Sequence, residues 1–101
     1  MAVIQPIMIE KIMDYINSLV DKGKVKINGT YHAYSIYKTI KQDNSVRKYI
    51  YLETEVGFVE EAQLLSVSNE ILAIKPVSIE KQEDGLVIAF EFKLSIEEVS
   101  V

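Results

Sequence analysis

There is no cysteine in the chain. That removes disulfides, thiolate nucleophiles and zinc sites with cysteine ligands. It fits an intracellular or particle-bound protein. Histidine occurs once, at His32, so a metal centre or catalytic relay built on imidazoles has too few members. The four glycines are scattered, and neither a Gly-x-Gly-x-x-Gly run nor a phosphate loop can be written from them. No apolar run approaches the roughly 18 residues of a membrane span. The start, Met1 to Glu10, has no basic n-region, and Gln5 and Pro6 break its apolar stretch, so it does not read as a signal peptide. No membrane partner is expected.

What remains has the composition of a globular chain: 49% hydrophobic and 26% charged residues over 101 positions, one domain on length alone. Net charge is −4, but its distribution along the chain is uneven. Lys22 to Lys48 holds seven basic residues (Lys22, Lys24, Lys26, Lys38, Lys41, Arg47, Lys48) and one acid, Asp43, a net of +6. The remainder holds four basic and fourteen acidic residues, a net of −10. Such an asymmetry either becomes a basic side and an acidic side, or is interleaved by folding.

The run Leu86 to Ile96 has the firmest pattern. Leu86, Ile88, Phe90, Phe92, Leu94 and Ile96 fall on every second residue, which lines one face of a β-strand. Ahead of it, Ile7 to Lys22 is helical in period: Ile9, Ile12, Met13, Ile16, Leu19 and Val20 recur at three- and four-residue steps. Pro6 suits a helix start and Gly23 a stop. Asn28-Gly29 reads as a turn, despite forming a glycosylation sequon with Thr30. Thr30 to Lys41 and Val46 to Phe58 read as a hairpin around the turn residues Gln42 to Ser45. In its second arm Val46, Ile50, Leu52, Val56 and Phe58 share one side, while Arg47, Tyr49, Tyr51, Glu53 and Glu55 face solvent or a partner. Val59 to Ser68 is ambiguous between helix and strand, with a short helical turn or loop favoured. Ile71 to Lys81 alternates again, and Pro76 places it at an edge or a bulge. Gln82 to Gly85 reads as a hairpin turn, with Gly85 free to take positive φ. Residues 1–5 and 97–101 read as loose arms. The sum is an α+β domain: an N-terminal amphipathic helix, about 7–22, packed on a four- to five-stranded antiparallel sheet made of two hairpins within about 24–97.

No set of residues converges on a reaction. His32 lacks an obvious carboxylate and nucleophile, and the adjacent pairs Glu60-Glu61 and Glu97-Glu98 read as solvated charge. The expectation is a protein that is not an enzyme and holds no cofactor or metal. The functional lead is the basic, tyrosine-rich segment, and the candidate interface is Lys24, Lys26, Lys38, Lys41, Arg47, Lys48, Tyr49 and Tyr51. Tyrosine and arginine are enriched at protein interfaces. A basic face on one copy meeting an acidic face on the next gives a homo-oligomer that closes into a ring or propagates. The alternative is a nucleic-acid-binding module, since aromatic side chains among cations can stack bases.

In layout the chain resembles the small bacteriophage virion proteins of the neck, tail and baseplate. The likeness rests on the helix at Ile7 to Lys22 ahead of an antiparallel sheet, and on the long closing strand Glu83-Asp84-Gly85-Leu86-Val87-Ile88-Ala89-Phe90-Glu91-Phe92-Lys93-Leu94. The absence of cysteine and the segregated charge add to it. It implies a structural subunit of a ring or collar, located in a virion or a host cytoplasm, with arms clasping its neighbours.

Overall fold

The structure, a computed structural model, describes residues 4–97 and Val99. The chain is α+β, as its periodicities predict: the described residues form one helix, then seven strands in antiparallel pairing throughout. Helix α1 spans Pro6–Leu19. The strands are β1 (Lys22–Ile27), β2 (Thr30–Ser35), β3 (Lys38–Gln42), β4 (Ser45–Leu52), β5 (Gly57–Leu65), β6 (Ile71–Lys81) and β7 (Leu86–Lys93). They form two sheets rather than one, a four-stranded sheet in the order β2-β1-β5-β6 and a three-stranded sheet in the order β3-β4-β7.

The inner faces of the two sheets share one core. Val25, Ile27, Val59, Ala62, Leu64 and Val77 come from the larger sheet; Ile50, Leu52, Ile88 and Phe90 come from the smaller. Each large aliphatic side chain withdrawn from water contributes about 1.5–3 kcal/mol, so this layer dominates the stability. Alternation in β1 and β4 accounts for it directly, with odd positions of β1 and even positions of β4 inward.

Several connections depart from the sequence reading, each for a physical reason. The helix ends at Leu19, three residues early, because Val20 turns to extended backbone and the chain enters β1. Gly23 is therefore no helix stop. It lies within β1 under Ile50, whose Cδ1 would sit 2.4 Å from any Cβ there. The expected strand Thr30 to Lys41 is two strands in different sheets, broken at Ile36 and Tyr37. Val46 to Phe58 is likewise broken at residues 53–56, where the chain crosses between sheets, leaving Val56 and Phe58 largely exposed. The ambiguous Val59 to Ser68 is mostly β5, a central strand with β1 on one side and β6 on the other. A bulge hid it: Ile27 pairs with Val59 and Lys26 with Glu61, so Glu60 is an extra residue and Val59 and Ala62, three apart, share the inner face. The turn Gln82 to Gly85 joins strands of different sheets, so β6 and β7 are not a paired hairpin. Positive φ occurs at Asn28, Gly29, Asp43, Gly57 and Asn69 rather than at Gly85, which lies against the Tyr51 ring.

Other expectations hold. Asn28-Gly29 makes the tight β1–β2 turn with both residues at positive φ. Residues 43–44 turn β3 into β4. Pro76 stands on an edge strand. The expected strand Leu86 to Ile96, by contrast, stops three residues early at Lys93, because Leu94 takes Asn44 as partner for both its N–H and its carbonyl; Leu94 and Ile96 are partly buried beyond it. Helix α1 packs against β4, with Met13 fully buried.

Candidate functional site

The ladder registers divide the eight candidate residues into three groups. Lys24 and Lys26 stand with Lys22 on the outer face of the larger sheet, since Gly23, Val25 and Ile27 point inward. Lys38, Arg47, Tyr49 and Tyr51 share the outer face of the smaller sheet: Lys38 is opposite Tyr49, and residues 46, 48, 50 and 52 are the buried set on β4. Lys41 and Lys48 belong to the inner face of that sheet, beneath α1. The two outer faces lie on opposite sides of the sandwich, so no single basic face gathers all eight.

Acidic side chains meet several of these cations. Lys41 pairs with Asp14 of α1 and Arg47 with Glu91 of β7. Arg47 titrates above its ordinary value, through its bond to Glu91 first and Tyr49 second. Lys22 is 3.8 Å from Asp21. Lys24 and Lys26 both lie over the Tyr31 ring, at 5.2 and 5.6 Å from its centroid. The Tyr31 hydroxyl donates to Glu61 at 2.9 Å, and Glu61 also accepts from Gln63 Nε2 at 2.7 Å. Those two bonds, the Gln63 one larger, hold the Glu61 carboxyl below its usual range. Folding thus interleaves much of the basic segment with acids drawn from elsewhere in the chain.

Lys48 is the clearest correction. It is 4% exposed and cannot contact a partner. Its ammonium donates to Asn17 Oδ1 and, at 3.0 Å, to Thr39 Oγ1, tying α1 to β3 and β4. Burial lowers its pKa. Lys81, 3% exposed, was not singled out by the sequence. Its ammonium donates to the carbonyls of Glu53 (3.0 Å), Glu55 and Gln82 (2.9 Å), pinning the crossing between β4 and β5 to the end of β6. Beside it Glu55 accepts from Tyr34 Oη at 2.7 Å and from its neighbour's Glu53 N–H at 3.0 Å. The Tyr34 bond is the main reason the Glu55 carboxyl is held below its ordinary range, while burial first and Glu55 second raise the Tyr34 phenol. A signal for both lysines was present: each falls at an inward position of an alternating strand, after Val46 and before Ile50, or after Val77 and Ile79.

The remaining chemistry is sparse. His32 is exposed on β2, opposite Val25. Glu60 and Glu61 take separate partners, the Gly29 N–H at 2.7 Å and Tyr31. Glu98 and residues 1–3 lie outside the described residues, as do residues 100 and 101 of the expected C-terminal arm. Among the described residues, no three His, Asp or Glu side chains are grouped to hold a metal ion, and no helix is long and apolar enough to cross a membrane. A groove of about 530 Å³ between the start of α1 and the β3–β4 turn is lined by Ile4, Pro6, Ile9, Glu10, Lys41, Asp43 and Asn44. Comparison with protein-family models, with curated proteins and with solved structures found no match.

Proposed function

We propose that this chain is a non-enzymatic structural subunit, of the kind built into a phage neck, tail or baseplate, whose copies join through sheet edges with charged side chains alongside. One observation carries the reading. The larger sheet ends in β2, a strand exposed on both faces at most positions, bordered by the cations of β1. An open strand edge is a template for another chain, whereas the two buried lysines, Lys48 and Lys81, have their ammonium groups bonded within the fold. The whole-face charge complementarity expected from the sequence contributes less than the edge, because Arg47 and Lys41 are met within the chain. Light scattering after size exclusion tests the proposal. Association that rises with concentration is expected; a strict monomer at all concentrations and at low salt overturns it.

A second reading, nucleic-acid binding, keeps support from the outer face of the smaller sheet, where Lys38, Arg47, Tyr49 and Tyr51 adjoin Tyr37. The rings of Tyr37 and Tyr51 pack on each other at 5.1 Å, and Glu91 neutralises Arg47, which leaves less open surface for bases. Oligonucleotide anisotropy at two salt concentrations separates the readings, since phosphate-driven binding weakens steeply with salt.

A further inference from the structure

The two sheets have four edge strands, and three of them are guarded. On β3 the short edge carries Lys38 and Lys41 among five residues. On β6 the guard is Pro76. The Asp21 N–H donates to the Leu65 carbonyl and Asn28 N–H to that of Phe58, so both of those β5 residues address β1. With the registers 64↔73 and 62↔75, Ile74 and Pro76 then turn their backbones to the free edge, and the missing proline N–H interrupts the donor row there. On β7 the outward set includes Ala89, because the Tyr49 carbonyl opposite it is bonded to Tyr37 N–H on the other side. That Ala89 carbonyl is already taken by Lys75 Nζ at 2.7 Å, reaching over from β6. Charges, an edge proline and a bridging lysine are the devices that stop unwanted strand pairing.

Strand β2 has none of these. Its sequence, Thr-Tyr-His-Ala-Tyr-Ser, contains no proline, lysine, aspartate or glutamate. The turn at Asn28-Gly29 closes on the pair Ile27 and Thr30, so the alternation of the ladder turns the N–H and C=O groups of Tyr31, Ala33 and Ser35 to the free edge. Their side chains share the outer face with Lys26, Lys24 and Lys22, directly opposite in register. Tyr31 is folded back over β1, its hydroxyl on Glu61. Ala33, opposite Lys24, is only a methyl group, and the β2 side chain that meets the Lys24 ammonium is the Tyr31 ring at 5.2 Å, a cation–π contact that leaves the charge unneutralised. No carboxylate lies within ion-pair distance of Lys24 among the described residues.

These features ask for an extended, acidic segment. A second β2 fits less well, because two-fold pairing across Ala33 puts the lysine rows of two β1 strands on one face, about 14 Å apart, with no carboxylate between them. The chain's own C-terminal segment, Ser95-Ile-Glu-Glu-Val-Ser-Val101, does qualify. It has three β-branched residues and two glutamates against no cation. Adjacent residues of a strand point to opposite faces, so with Glu97 and Glu98 side by side either register puts one carboxylate on the lysine side. Leu94 is held to Asn44 through both its N–H and its carbonyl, whereas residues 95–97 belong to no helix or strand of their own chain, and Glu97 is exposed.

We propose that the free edge of β2 receives residues 95–101 of a second copy as an added strand, with Glu97 or Glu98 on the same face as Lys24, across Ala33. This rests on the assembly reading above and names its contact. The contact is heterologous, so it propagates head to tail until it closes into a ring. Sedimentation velocity on the full chain should show concentration-dependent association. Ala33→Pro removes an N–H that points away from β1, and truncation after Leu94 removes the donor. Each should weaken association about tenfold or more, with circular dichroism unchanged. Should Ala33→Pro fail to fold, Ala33→Glu offers Lys24 a carboxylate in cis and should act the same way. Lys24→Glu should weaken association, as should Glu97→Lys with Glu98→Lys; the three changes together should restore it. A labelled peptide of residues 95–101 should bind the truncated chain and not its Ala33→Pro form. Wild-type association that survives both Ala33→Pro and truncation overturns this contact while leaving the assembly reading standing. Loss with Ala33→Pro but not with truncation overturns the tail as donor. A wild-type chain that stays monomeric and does not bind the peptide overturns both.

Discussion

The layer between the two sheets and the layer beneath α1 are built differently. Between the sheets, Val25, Ile50, Leu52, Val59 and Leu64 are fully buried, and the facing positions are aliphatic or aromatic. Beneath α1 the only fully buried helix residue is Met13, and its surroundings include a buried lysine bound to Asn17 and Thr39. Ile7, Met8, Tyr15 and Leu19 of the same helix remain substantially exposed. Dispersion and apolar burial grow with the number of close neighbours, so the first layer is held by packing. The second is held by Met13, by the partly buried Ile9, Ile12 and Ile16, and by a few directional polar bonds. The sandwich is thus the rigid body of the molecule and the helix its more loosely fastened cover.

The comparison can be broken or sharpened by substitution. The largest effect belongs to the sandwich: Leu64→Ala should cost about 3–4 kcal/mol in urea unfolding, from lost burial and the cavity left behind. A loss under about 1 kcal/mol would mean that the sheets collapse onto the gap and are not rigid. Met13→Ala should cost about 2 kcal/mol, the low end for its type, because Met13 lies outside the apolar cluster between the sheets. Amide exchange should then quicken in α1 well before it does in β1 or β5; equal acceleration in both would show that helix and sandwich unfold as one unit. Lys81→Met leaves three carbonyls without their donor and should cost about 1–3 kcal/mol, while Lys48→Met should be closer to neutral, since its charge is already disfavoured by burial. An equal loss at the two sites would remove the distinction between a lysine that satisfies three carbonyls and one whose bonds to Asn17 and Thr39 are offset by the cost of burying its charge.

Acid provides a finer test. Glu55 has a folded-state pKa below its unfolded value, through the Tyr34 hydroxyl first. Its stabilisation is therefore fully present above the ordinary glutamate range, near pH 4.3, and is lost as pH falls through the lowered folded value. Tyr34→Phe should flatten that acid limb of the urea midpoint against pH and leave the helix layer's response alone. The smallest effect is expected at the surface. Asp14→Asn removes the partner of Lys41, and an exposed pair of this kind is worth about 0–1 kcal/mol. A larger loss would mean that α1 depends on that pair.

Much of the architecture was legible in particular residues. Ile9, Ile12, Met13 and Ile16 announced α1, Asn28-Gly29 announced its turn, and Pro76 announced an edge. Val59 to Leu65 was not legible, because a bulge at Glu60 shifts alternation by one residue and the local helix propensity of Glu-Glu-Ala-Gln points the wrong way. The interface candidates were legible only as composition. Spacing along β4 correctly kept Arg47, Tyr49 and Tyr51 on one face, yet Lys48 on the same strand is buried.

Local periodicity and turn chemistry belong to the chain itself, since they depend on side chains a few residues apart. By that measure the sequence alone determined the α+β class, the antiparallel pairing around short turns and the existence of an edge at Pro76. Tertiary structure decided which strands share a sheet, because crossings at residues 36–37 and 53–56 and at the turn after β6 are choices between partners distant in sequence. It also decided the fate of the charges: Asp14 and Glu91 reach Lys41 and Arg47 only after folding, as Coulomb attraction depends on distance in space and not on separation along the chain.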